Sequence, residues 1–205
     1  MPIITVSGHS RKVGKTSIAE GLIAALPEYG WTALKVSSHR HSGDSVDGYT
    51  VIEETNRNGV NDTSRFLKAG ASRAFWIRAG RIEEAVPAVR AIIKDAPYVV
   101  IEGNSVLDFI PADFSILVLN SGVAEFKEGA RTILPHADAL VLIRENAKPS
   151  EWEGLLESVP ENTPKFETHD PKVFPPALVK LLQKAISENL GIKACDRDKS
   201  GVSLR

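Results

Sequence analysis

Apolar and polar residues fall in short blocks along this chain of 205 residues, and the period of each block changes from one to the next. Residues 2–7, PIITVS, form a β-branched run that ends at Gly8 and predicts a buried strand of the parallel type. Over 16–26 the period lengthens. Ile18, Leu22, Ile23 and Leu26 recur on one helix face, and Pro27 helps to stop the helix. The same patterns predict strands over 31–36, 73–77, 98–101, 115–119 and 139–143, and an edge strand near 165–168. They predict helices over 62–69, 81–94, 124–134 and 176–190, and one near 150–158. Residues 37–61 are polar, with a weak apolar patch at 49–52, and read as one long loop of the kind that is usually functional or disordered. Strands that alternate with helices predict a three-layer α/β fold, a mainly parallel sheet covered on both faces. Residues 1–192 read as one domain and 193–205 as a mobile tail.

Composition narrows the partners. Apolar residues make up 42% and charged residues 25%, the usage of a soluble globular chain. Lys plus Arg number 25 against 26 Asp plus Glu, so no global positive field draws nucleic acid or an anionic membrane. No apolar run approaches the ~18 residues of a membrane span. The lone Cys195 allows no internal disulfide, which points to a reducing compartment and hence the cytoplasm.

The main chemical signal is GHSRKVGKTS, residues 8–17, set between the first strand and the first helix. In such a loop, backbone N–H groups turn inward and the helix N-terminus adds positive potential, so an anionic phosphate is the natural ligand. Gly8, His9, Ser10, Arg11, Lys12, Val13, Gly14, Lys15, Thr16 and Ser17 are therefore the expected nucleotide-binding residues. Lys15 is expected to bridge the terminal phosphates, and the Thr16 hydroxyl to bind Mg²⁺. Five residues, not four, separate Gly8 from Gly14, and His9 takes the position that the standard motif gives to its first glycine.

Ligands of open parallel sheets gather beyond the carboxyl ends of the strands, where Lys15, Lys35 and Glu102 fall. A magnesium-bound triphosphate needs hydroxyl and carboxylate oxygens around the metal and cations around the phosphates. Thr16, Asp62 and Glu102 suit the first need, Lys15 and Lys35 the second. Asp62 has a plain alternative as a helix cap. Glu102, after the apolar run YVVI, needs a partner to sit there at all. His39, His41, Asp44 and Asp47 have the residue types of a metal site, but their spacing and composition read rather as a mobile substrate or switch loop. Arg65 and Lys68 read mainly as solvated charges, Trp31, Trp76 and Trp152 as packing residues.

The five-residue gap before GKT resembles the loop of dethiobiotin synthetases, members of the deviant class of P-loop proteins that also holds nitrogenase iron protein and signal-recognition GTPases. Three further segments resemble the molybdopterin-guanine dinucleotide biosynthesis adaptors, the MobB family, of that class. They are ALKVSSHRH with Lys35, DTSRFLKAGA opened by Asp62, and YVVIEG with Glu102 and Gly103. The resemblance spans roughly residues 3–145. It implies a homodimer that binds ATP or GTP with Mg²⁺ and hydrolyses it slowly, as an accessory to a protein partner in molybdenum-cofactor biosynthesis. Lys15, Lys35, Asp62 and Glu102 would carry the chemistry. Asn146 resembles the adenine-contacting Asn of dethiobiotin synthetases, yet the guanine-selecting Asp of the GTPases has no counterpart, so the base stays open. A dethiobiotin-synthetase-like ATP-dependent carboxylate ligase and a non-catalytic, nucleotide-dependent adaptor are the rival readings.

Overall fold

A computed structural model describes residues 1–38, 48–145 and 150–199, with side chains as far as residue 188. His39, His41, Asp44, Asp47 and Asn146 lie outside the described residues. In chain order the elements are β1 (Ile3–Gly8), α1 (Lys15–Ala25), β2 (Thr32–Ser37), β3 (Tyr49–Glu54), α2 (Asp62–Ala69), β4 (Arg73–Ala79) and α3 (Ile82–Ile93). There follow β5 (Val99–Glu102), β6 (Phe114–Asn120), α4 (Glu128–Ile133), β7 (Ala139–Ile143), β8 (Lys165–Thr168) and α5 (Pro176–Lys199).

The eight strands form one sheet in the order β3-β4-β2-β5-β1-β6-β7-β8. All neighbours pair in parallel except β3, which runs antiparallel to β4. β1 sits at the centre, and all six of its residues are buried because both of its faces are covered. One layer packs Ile18, Leu22 and Ile23 of α1, Phe66 of α2 and Leu178 and Leu182 of α5 on Val6, Val100 and Val141. The opposite layer sets Ala85 and Val89 of α3 on Leu34, Ile77 and Ile101, and Trp152 and Leu134 on Leu119 and Leu142. Each fully buried aliphatic side chain stabilises this arrangement by about 1.5–3 kcal/mol.

Four expectations change. Residues 49–54, read as part of a long loop, form β3, an edge strand. The helix expected over 124–134 is shorter, α4 followed by a 3-10 turn at Leu134–His136, and the one near 150–158 is itself a 3-10 segment, Glu151–Ser158. α5 continues beyond residue 190 to Lys199.

Candidate functional site

The loop between β1 and α1 is shaped by its backbone. Gly14, the N-cap of α1, adopts φ 100°, and Lys12 at the exposed tip adopts φ 58°. A side chain on Gly14 would also collide with Ile143, since a Cβ there would lie 2.7 Å from Ile143 Cδ1. Glycine gives α1 no capping side chain, and its first turn holds no acid, so no side chain of that turn neutralises its N–H groups. Lys15 folds back over this end and donates to the Ser10 carbonyl at 2.6 Å. Burial lowers the pKa of Lys15, and the neighbouring Glu102 works against that shift.

Three strand and helix ends converge beside the loop. Thr16 donates to Glu102 Oε2 at 2.9 Å, and Lys35 donates to Glu102 Oε1 at 2.9 Å while pairing with Asp62 at 2.6 Å. Parallel register puts Lys35 directly opposite Glu102 on neighbouring strands. Burial disfavours the Lys35 ammonium, but the charge of Glu102 and the hydrogen bonds to Asp62 and Glu102 outweigh it and raise its pKa. Chain geometry holds Glu102 in place: Gly103 follows at φ 155°, and a Cβ there would stand 2.7 Å from the Val36 carbonyl oxygen. A hydroxyl and two carboxylates around one cation are hard oxygen donors of the set that suits Mg²⁺. Among the described residues no cluster of three or more His, Cys, Asp or Glu forms a metal site of protein ligands alone.

On the other flank, His9 is fully buried. Its Nε2 accepts from the Asn120 N–H at 3.1 Å, so Nδ1 carries the proton and donates to the Glu125 carbonyl at 2.9 Å. The ring lies 5.1 Å from both the Phe126 and Trp152 rings. Burial pushes its pKa down to about 4, keeping the ring neutral.

No family model matches the sequence, and no curated protein does. Among solved structures, the chain is similar to LpxK from Aquifex aeolicus in complex with ATP, with 17% identity, a TM-score of 0.50 and 82% of this chain covered. The chain spans about half of that protein, 53% of its length. The fold is that of a P-loop NTPase. Looser similarities link it to a MobB protein homolog from Bacillus stearothermophilus, at 18% identity over 91% of this chain and 99% of that one, with a TM-score of 0.43. The septum site-determining protein MinD from Pyrococcus horikoshii, complexed with Mg-ADP, gives 16% identity over 77% of each chain and a TM-score of 0.39.

Several expected contacts of the P-loop are redistributed. His9 has no polar atom left for a phosphate: its N–H donates to the Val118 carbonyl and its own carbonyl accepts from the Lys127 N–H. The Ser17 hydroxyl accepts from Arg65 at 3.0 Å. Arg65 is no solvated charge; it also binds Glu20 at 2.6 Å and ties α2 to α1. Arg11 and Lys12 are exposed at the loop tip, and Val13 is buried beneath it. The cap of α2 is Asn61, whose side chain accepts from the Ser64 N–H, which leaves Asp62 free to pair with Lys35. Trp31 and Trp152 are buried packing residues, whereas Trp76 is half-buried under the Arg78 guanidinium, 4.8 Å from its ring.

Two contributors escaped the sequence reading. Asn104 mimics a neighbouring strand for the start of the P-loop: its Oδ1 accepts from the Gly8 N–H at 3.0 Å and its Nδ2 donates to the Gly8 carbonyl at 2.8 Å. A polar residue directly after Glu102-Gly103 was the one available signal. Glu125, whose carboxylate accepts from the Ser10 hydroxyl, carried none.

Proposed function

We propose that this chain binds a nucleoside triphosphate with Mg²⁺ at the P-loop and hydrolyses it slowly, in a MobB-like accessory role in molybdenum-cofactor guanine dinucleotide biosynthesis. The observation that carries nucleotide binding is the N-terminus of α1, uncapped by any side chain and overlaid by Lys15. Its N–H groups and the ammonium supply the positive field that a polyphosphate needs. Lys15 exchanges the Ser10 carbonyl for phosphate oxygens. Thr16, Asp62 and Glu102 would hold Mg²⁺, which neutralises phosphate charge when bound. Lys35 orients Glu102 and Asp62 and adds a second cation toward the terminal phosphate. Hydrolysis by in-line attack of water then rests on charge stabilisation. Among the described residues, the imidazole within the loop, His9, is buried with both ring nitrogens engaged and serves as no base, which fits slow turnover.

The molybdenum-cofactor role, the homodimer, the protein partner and the cytoplasmic location rest on the segments around Lys35, Asp62 and Glu102 and on the lone cysteine. Among the described residues no helix is long and apolar enough to cross a membrane. A thermal-shift titration with ATP, GTP and their diphosphates, with and without Mg²⁺, tests the reading, because a ligand of the native state raises the melting temperature. A Mg²⁺-dependent shift with a triphosphate supports it and reveals the base. The absence of any shift refutes it. Turnover that rises only with a protein partner would favour the adaptor reading, to which the engaged His9 also lends support.

A further inference from the structure

Glu125 stands in a segment strapped across the P-loop. The Glu125 carbonyl accepts from His9 Nδ1, the Lys127 N–H donates to the His9 carbonyl at 2.9 Å, and the Glu125 carboxylate accepts from the Ser10 hydroxyl. Ser10 is itself buried, and its carbonyl holds the Lys15 ammonium at 2.6 Å. One residue therefore joins the lysine expected to meet phosphate to an acid at the rim. The Glu125 carboxyl is held below the usual carboxylate range, first by the Ser10 hydrogen bond and then by the charges of Lys127 and Arg11, so it is ionised at neutral pH. A carboxylate on a phosphate cradle is chemically odd, because it offers the same anionic oxygens as the ligand and repels it.

We infer that Glu125 is a built-in competitor for the phosphate site, a carboxylate that stands in for a phosphate oxygen at Ser10 and that a polyphosphate must displace. This rests on the P-loop binding a nucleotide, and it adds a residue that sets affinity from outside the motif. Displacement returns the Ser10 hydroxyl to the ligand and removes one of the three ties between residues 125–127 and the loop, leaving the two made by His9. The acid thus keeps affinity modest and hastens loss of the bound anion.

Glu125→Gln tests this, because the amide keeps the shape and the acceptor for Ser10 and removes only the charge. Calorimetric titrations of wild type and variant use Mg-ATP, Mg-GTP and metal-free tripolyphosphate at low and high ionic strength. The expected gain in affinity is about two- to tenfold, larger for the more highly charged metal-free probe and shrinking with salt. If wild type binds and the variant binds no more tightly, or gains by a factor indifferent to probe charge and salt, the competitor is refuted while nucleotide binding stands. Binding by the variant alone supports both ideas. If neither protein binds any probe, the nucleotide reading fails and takes the competitor with it.

Discussion

Thr16 and Glu102, 86 positions apart in the chain, meet at 2.9 Å, so the first turn of α1 is tied to the acid that ends β5. The same carboxylate faces Lys35 with its other oxygen. Glu102→Gln keeps the size of the side chain and removes its charge. The Mg²⁺-dependent part of the thermal shift with a triphosphate should disappear, and unfolding in urea should show a loss of about 1–3 kcal/mol.

Lys15→Ala removes the ammonium over the α1 N-terminus and leaves the fold intact, because Lys15 lies at a helix start with its head on a loop carbonyl. Loss of a hydrogen bond to a charged ligand costs about 1.5–3 kcal/mol, so calorimetry should record triphosphate affinity weakened by roughly 10- to 100-fold.

Acid should weaken the fold through His9. Its ring takes up a proton near pH 6.5 in the unfolded chain and only near pH 4 in the folded one. Between these values the unfolded chain binds more protons, so stability falls as pH drops from 6.5 toward 4 and gains nothing from this group above 6.5. The full contribution is on the order of 3 kcal/mol. Urea midpoints at pH 7 and pH 5 should differ clearly in the wild type and less in His9→Asn.

Asn104→Ala frees the N–H and the carbonyl of Gly8 together. Leaving such groups unpaired costs about 1–3 kcal/mol. Chemical denaturation should report that loss, and triphosphate affinity should fall with it, because the P-loop then starts from a strand end tethered on one side only, to β6.

Elements buried on both sides were the easiest to read. β5, β6 and β7 carry unbroken apolar runs, 99–101, 116–119 and 139–143, because layers cover both of their faces. β3 escaped because five of its six residues are exposed, so no alternation marks a buried face. The meeting of Thr16, Lys35, Asp62 and Glu102 was legible, since parallel strands deliver their ends to one side of the sheet. Adjacent residues of one type blurred the cap of α2, where Asn61 caps and Asp62 pairs. His9 looked like a phosphate contact from its place in the motif. Its true partners, Phe126 and Trp152, lie far along the chain, and no local pattern announces a contact of that range.

The packing around the P-loop carries a consequence for the order in which the protein is made. Residues 8–17 leave the ribosome well before their supports, since His9 leans on Trp152, a Cβ on Gly14 would meet Pro171 at 3.1 Å, and one on Gly21 would meet Phe174 at 2.7 Å. At about 5–20 residues per second, the supports of the loop emerge many seconds after the loop itself. A nascent chain therefore carries its P-loop long before the loop can take its folded shape, and that shape is complete only once residues 152–174 have emerged.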